Sequence, residues 1–331
     1  MTPLISAKVL KYSISPSGER MLSMEIEYPR LILAELNTHR MLSKNSASSR
    51  AIPFAKMREQ LTGAPVRMGA AAPGMQDKGE HDARVPLPRE ATMAFDLFNI
   101  QRIVREDRDF TRSGSQVLVD PHVMWEFAKW FAEKIANGYF EAKYHKQVFN
   151  RLLEPWQKMK TVISGTEWGN FFVLRQSSAA DPTIQALATA MREAVRAEAP
   201  MLLHPGEWHL PYVDTHRSVG GSLRYSVDGY EVGVRDAQVV SVARCAAVSY
   251  RNTNYDVQRC WEVWQKLATP GEMHGSAFEH QASPLSEGLL TWADGQTHID
   301  ARGRRWSGNL HGWQQLRKTL DGECADTPWW Q

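Results

Sequence analysis

Residues 20–28, RMLSMEIEY, alternate without interruption: Leu22, Met24, Ile26 and Tyr28 fall on one side, Ser23, Glu25 and Glu27 on the other. A period of two with one apolar side belongs to a strand that buries one face and turns a polar face the other way. Pro29 ends the run at a residue suited to the first turn of a helix, and RLILAELNTHR predicts that helix. A second strand-like segment, KMKTVISG, lies at 158–165. Between and beyond them helical patterns dominate, and strands and helices do not take turns as regular βαβ units. The chain is therefore expected to be α+β, a mixed or antiparallel sheet flanked by helices, rather than a doubly wound sheet.

Caps mark the other helices. Asp120 and Pro121 open DPHVMWEFAKWFAEKIANG, which Asn137-Gly138 should stop, with Met124, Phe127, Phe131 and Ile135 as its inward stripe. EAKYHKQVFNRLLE, up to Pro155, and TEWGNFFVLR read as helices. DPTIQALATAMREAV reads as a capped amphipathic helix with Ile184, Leu187, Met191 and Val195 inward. Asp236 and Asp256 should cap two more, the latter with Val257, Cys260, Trp264 and Leu267 on one face. A strand near 286–293 and a helix near 309–320 are expected to close the chain. Residues 64–119 are rich in Gly and Pro, have no period, and predict a long excursion. The 331 residues are read as one domain, 1–331, with that excursion and a C-terminal extension at 286–331.

Net charge is +2, too balanced for a protein that works by coating nucleic acid. Three widely spaced cysteines, Cys245, Cys260 and Cys324, suggest neither a disulfide framework nor a thiolate metal site, and suit a reducing cytoplasm. MTPLISAKVLKYS lacks the pattern of an export signal, and no apolar run approaches the roughly 18 residues of a membrane span. His204, His209 and His216 have no ligand-motif spacing, so no metal is expected.

The chemistry concentrates in NTHRMLSKNSASSR, residues 37–50. Arginine forks match phosphate oxygens, and small Ser and Asn residues let backbone amides approach the same anion. No Gly-rich phosphate loop of a standard kind occurs in the chain. The stretch resembles the signature of the flavin-dependent thymidylate synthases, Arg-His-Arg-x-x-Ser-x-Asn-x-x-Ser-x-Arg. His39, Arg40, Ser43, Asn45, Ser48 and Arg50 match six of its seven fixed positions, and Thr38 replaces the first arginine.

Two further stretches support the resemblance. WGNFFVLRQSSAADPTIQALA is similar to a later family segment, with Asn170 and Arg175 in the matching places and Ala179 where the family has a histidine. HGSAFEHQASP, residues 274–284, resembles the family's His-x-(Thr/Ser)-Pro-Phe-Glu-His element, with Ala277 for the proline and Glu279-His280 at its end. In ordinary members that element comes first, whereas here His280 lies 230 residues after Arg50. The chain therefore resembles a circularly permuted, bacteriophage-type member, matched over roughly 20–62, 120–200 and 236–285. Permutation is tolerated where chain ends lie together at the surface.

The resemblance implies FAD as cofactor, dUMP as acceptor, methylenetetrahydrofolate as one-carbon donor, NADPH as reductant, and a homotetramer with shared active sites. It implies that His39 and Arg40 hold the FAD phosphates, and that Asn45, Ser164, Asn170 and His280 frame the flavin ring. Ser46, Ser48 and Arg50 would bind the dUMP phosphate, and Arg175 would polarise the base as the catalytic group. Lys146 and Arg151, or Arg317 beside Gln314 and Gln315 at the start of the last helix, are further phosphate candidates. Reduced flavin needs no enzyme thiol, in keeping with cysteines placed on packing faces. The expected product is dTMP. A hydroxymethylated product, 5-hydroxymethyl-dUMP or its dCMP counterpart, is the alternative within this chemistry, and a non-enzymatic nucleic-acid-binding protein is the alternative outside it.

Overall fold

The structure, a computed structural model, describes residues 4–73, 77–102, 108–251, 253–269, 272–286 and 292–323. β1 (Ser6–Ile14) and β2 (Arg20–Pro29) form an antiparallel hairpin. The helix after Pro29 is shorter than its pattern: a 3-10 turn at Arg30–Ile32 leads into α1 (Leu33–Asn37). The polar stretch that follows is not all loop, because it holds β3 (Ser43–Ser46). α2 (Phe54–Arg58) comes next.

The aperiodic region carries β4 (Val85–Pro86), α3 (Thr92–Arg102), β5 (Phe110–Ser113) and β6 (Gln116–Val119), the strands ordered β4-β6-β5. Together with α4 (Pro121–Glu141) they enclose a core of Leu87, Phe95, Phe98, Phe110, Phe127 and Trp130. Asp120 caps α4 through the amides of His122 and Val123, as expected. The helix nevertheless runs past Asn137-Gly138 to Glu141, and Phe131 and Ile135 are exposed at 46% and 45% while Trp130 and Ala136 turn inward. This core keeps Met124 and Phe127 of the expected stripe and adds Trp130, while Ala136 packs in a second cluster with Phe54 and Phe149. The single helix expected over 141–154 is α5 (Lys146–Phe149) and a 3-10 segment, Asn150–Trp156, that contains Pro155.

β7 (Lys158–Gly165), α6 (Gly169–Arg175), α7 (Pro182–Arg196) and β8 (Met201–Leu202) complete the first half. The main sheet runs β3-β7-β2-β1-β8. Its apolar face, including Met24, Ile26, Met159 and Ile163, packs on Ile184, Leu187 and Met191 of α7 and Phe171 of α6. Its other face carries the polar half of the β2 alternation. Glu27 and Glu25 there pair with Lys158 and Lys160 of β7 at 2.7 and 2.8 Å.

The second half of the chain lies over that polar face. β9 (Asp214–Arg217), β10 (Leu223–Val227) and β11 (Tyr230–Val232) form a small sheet ahead of α8 (Val234–Ala247) and α9 (Val257–Leu267). Gly233, not Asp236, is the N-cap of α8; the Asp236 carboxylate instead accepts from Trp261 Nε1 at 2.8 Å. Asp256 caps α9 as expected. Val162 of β7 packs with Cys245 and Val248, joining the halves.

A 3-10 turn, Gly275–Glu279, precedes β12 (Ala282–Pro284). The tail then makes β13 (His298–Ile299), β14 (Arg305–Ser307), β15 (Leu310–His311) and β16 (Trp313–Gln315). These strands and a 3-10 turn, Leu316–Thr319, replace the helix expected over 309–320, so Gln314, Gln315 and Arg317 do not sit at a helix start. β16 pairs antiparallel with β12, which ties the tail to the histidine element. Most of the strand expected at 286–293, and Cys324, lie outside the described residues. Among the described residues no helix is long and apolar enough to cross a membrane.

Leu187 is fully buried between α7 and the sheet. Leu187→Ala should lower unfolding free energy by about 2–5 kcal/mol in a urea titration. Val173→Ala, at an exposed site, should change it by about 0.5 kcal/mol or less.

Candidate active site

The signature stretch is held in place from three sides. β3 pairs with β7 in register, Ser43 opposite Ser164 and Asn45 opposite Val162. Gly165 at the end of β7 lets the loop approach, since a Cβ there would stand 2.6 Å from Leu42 Cδ2. The Lys44 ammonium ties the bend by donating to the carbonyls of His39 and Leu42 at 2.5 and 2.9 Å.

Arg175, at the end of α6, meets the start of the stretch. Its Nε donates to His39 Nε2 at 2.8 Å, and its Nη2 donates to Thr38 Oγ1 at 3.0 Å and to the Glu35 carbonyl at 3.4 Å. Thr38, the one departure from the signature, is thus an acceptor for the arginine of the second motif. Accepting at Nε2 makes His39 a neutral ring with its proton on Nδ1. Burial first, then the charges of Arg175 and Lys44, lowers its pKa from 6.5 to about 4. Nη1 of Arg175 makes none of these bonds and is the donor left for a ligand.

The third motif reaches the same sheet from the opposite face. His280 is fully buried and its Nδ1 is 2.8 Å from Ser164 Oγ on β7. Its Nε2 is buried with no hydrogen-bond partner among the described residues. A buried polar atom of this kind calls for a partner. A cleft of ≈ 610 Å³ is lined by residues that include Asn45, Tyr250, Tyr255, Arg259, Lys266 and His274, though not the fully buried His280. Ser276 and Ala277 of the histidine element also face it. The cleft therefore joins the first and third motifs and offers cations and aromatic rings.

The remaining candidates are dispersed. Arg40 and Arg50 are exposed at the ends of the loop, with Ser48 half-buried between them. The Ser48 amide donates to the Ser249 carbonyl at 3.3 Å. Ser46 is turned to the opposite face of the sheet, its hydroxyl 2.8 Å from Thr161 Oγ1. Lys146 donates to the Ala51 carbonyl at 2.8 Å, next to Arg50, while Arg151 is exposed and bonds the Gln147 carbonyl. Asn170 is exposed on the first turn of α6. Arg317 lies against the histidine element, its guanidinium bound by Glu279 at 2.6 Å and Glu323 at 2.8 Å.

Three residues not singled out for the site in the sequence hold it together. Asn150, fully buried, donates from Nδ2 to the carbonyls of Ser49 and Ile52 at 2.8 and 3.0 Å and so fixes the turn that carries Arg50. Asn309 of the tail donates to the Met41 carbonyl and Ser43 Oγ, both at 3.0 Å, and accepts from Gln315 at 2.8 Å. His209 lies buried behind Ser164. None had a sequence signal beyond its polar side chain, because each acts on a segment distant in the chain.

A family model described as thymidylate synthase complementing protein matches residues 14–201. Two crystal structures of flavin-dependent thymidylate synthase ThyX from Helicobacter pylori, each with FAD and dUMP, are 20% and 18% identical to the chain. Each alignment covers 53% of this chain and 67% of the other, with a TM-score of 0.31. No curated protein matches.

His39 gives a pH signature. Its folded pKa lies below its unfolded value, so the unfolded chain binds the proton more readily between about pH 4 and 6.5. The stability it contributes should be complete above pH 6.5 and decline as pH falls toward 4. In denaturant titrations across that window His39→Gln should lose less stability than the parent. Separately, Asn150→Ala should weaken the fold by about 1–3 kcal/mol, because it leaves buried carbonyls unpaired.

Proposed function

Because this chain belongs to the thymidylate synthase complementing protein family, we propose that it transfers a one-carbon unit from methylenetetrahydrofolate to C5 of dUMP, using FAD and NADPH, to give dTMP. The observation that carries this reading is the convergence of three separated motifs on one sheet edge. Asn45 and the His274–Ala277 turn line one cleft, and Arg175 grips His39 of the same signature stretch.

The residues fit a flavin. The buried Nε2 of His280 is left without a partner, as a site awaiting a polar group would leave it, and the cleft volume is in the range of cofactor sites. Asn45, Ser164 and His280 would hold the ring from the β3–β7 side, with Asn170 reaching it from α6. His39 and Arg40 would serve the FAD phosphates. Ser48 and Arg50, with Lys146 bonded to the neighbouring Ala51 carbonyl, would bind the dUMP phosphate, and Ser46, Arg151 and Arg317 would have to turn toward it from their present partners. Bound reduced flavin supplies the reducing equivalents, so the base needs no attack by an enzyme thiol. The packing supports this: burial raises the Cys245 thiol well above its ordinary value and that of Cys260 to about 11, which makes both poor nucleophiles.

Arg175 is the catalytic group in this reading. Its Nε and Nη2 are anchored, so Nη1 points from a fixed plane rather than a mobile side chain. A fixed cation at the base edge stabilises negative charge that develops there, and it costs no reorganisation at the moment of reaction. The neutral His39 ring aids it as an acceptor that brings no competing charge.

The reversed order of the motifs is read as a circular permutation. The hydrogen bond between His280 and Ser164, and the pairing of β12 with the tail, support a third motif seated where its sequence order alone would not place it. A homotetramer with shared sites belongs to the same reading.

The test is the absorption spectrum of the purified protein with FAD, titrated with dUMP. Flavin bands that shift with dUMP are expected, with thymidylate as the product of the complete reaction. 5-Hydroxymethyl-dUMP as the end product would move the assignment to a hydroxymethylase. A protein that binds neither ligand would overturn it and favour the nucleic-acid-binding alternative. Arg175→Ala should lower kcat by about 10²–10³-fold, as for loss of one fixed oxyanion donor.

A further inference from the structure

Behind His280 runs an unbroken chain of buried groups. His280 Nδ1 lies 2.8 Å from Ser164 Oγ, which lies 2.6 Å from Ser23 Oγ. Ser23 Oγ lies 2.8 Å from His209 Nε2, and His209 Nδ1 lies 2.8 Å from Ser13 Oγ. All five residues are fully buried. The β2–β7 register sets Ser23 opposite Ser164, and with Ser13 on β1 three strands and two distant loops build one line. The His209 backbone is fixed as well, its amide and carbonyl paired with Ala282 two residues beyond His280.

Proton counting constrains this line. Three hydrogen bonds join the two rings, and each needs one proton. The two serine hydroxyls supply two, so one ring nitrogen must supply the third. Either His280 donates from Nδ1 and His209 accepts at Nε2, or the reverse holds. Burial keeps both rings neutral, lowering His280 to about 3 and His209 well below 6.5. Each neutral ring carries one proton, so in the first case both hold it on Nδ1 and in the second both hold it on Nε2.

We propose that His209, acting through Ser23 and Ser164, is a positioning residue that fixes the tautomer of His280, and thereby decides whether His280 Nε2 meets a ligand as acceptor or as N–H donor. The ligand class is a heteroaromatic ring with a nitrogen or carbonyl at its edge. Its identification as the flavin rests on the function proposed above, whereas the coupling of the two rings does not.

The experiment is ¹⁵N NMR of the imidazole nitrogens in the ligand-free chain, with FAD affinity measured beside it. The expected result is one neutral tautomer for each ring, with the proton on the same-named nitrogen in both. Ser23→Ala should uncouple them, changing the His280 nitrogen shifts and weakening FAD binding by about 2- to 10-fold, the worth of one hydrogen bond. Ser23→Thr, which keeps the hydroxyl, should restore both. Opposite tautomers in the two rings would overturn the proposal, and that comparison needs no variant to fold. Unchanged His280 shifts in Ser23→Ala would overturn it too. Parent protein that ignores FAD but shows matched tautomers would remove the flavin reading and leave the coupling standing.

Discussion

The pairing of β2 with β7 is the constraint on which the rest of the molecule depends. Its register puts Met24 beside Ile163 on the face that α7 covers, and Ser23 beside Ser164 on the face that the second half of the chain covers. A slip of one residue would exchange those faces, placing glutamates against α7 and methionines against the buried serine line. The carboxylates Glu25 and Glu27 are tolerable under a covering layer because Lys160 and Lys158 reach them diagonally across the β2–β7 ladder and neutralise them. A sheet with one oily and one charged side therefore needs two different partners, and the chain supplies them in order.

What could be read from the sequence follows from this. β2 and α7 were legible because each has a single apolar face, although the polar face of β2, Ser23 included, is covered as well. β3 was not, since Ser43, Lys44, Asn45 and Ser46 have no apolar period; their strand exists because β7 offers it a ladder. The stripe expected on α4 held only in part, for a related reason. Periodicity shows that a helix has an apolar side but not how far each stripe is covered: the core around Phe95 and Phe98 takes Met124 and Phe127 of the expected stripe together with Trp130, and leaves Phe131 and Ile135 exposed. The tail misled because two- and three-residue strands leave no periodic trace, and Gly312, at φ +70°, makes the bend between β15 and β16 inside the span expected as helix.

At the candidate site, residue chemistry was legible where donors crowd a short stretch, and illegible where geometry comes from afar. His39, Asn45, Arg175 and His280 could be picked out by spacing. That Arg175 would rest on Thr38, or that Asn150 would clamp the Ser49–Ile52 turn, depended on partners more than 90 residues away. Gly275 gives the converse: a small residue with no chemistry of its own, whose missing side chain makes room for the Arg317 guanidinium 2.6 Å from where a Cβ would lie.

The pairing of β16 with β12 has a temporal meaning. Four strands of the main sheet can pair once β7 has been made, but the contacts that close the site span 116 residues from Ser164 to His280 and 266 from Ser43 to Asn309. Long-range closures of this kind come late and slowly in folding. During synthesis the charged face of the sheet thus waits uncovered while more than a hundred residues are added, and the paired Lys and Glu side chains keep it wettable meanwhile. The binding site is complete only when the last strands are in place.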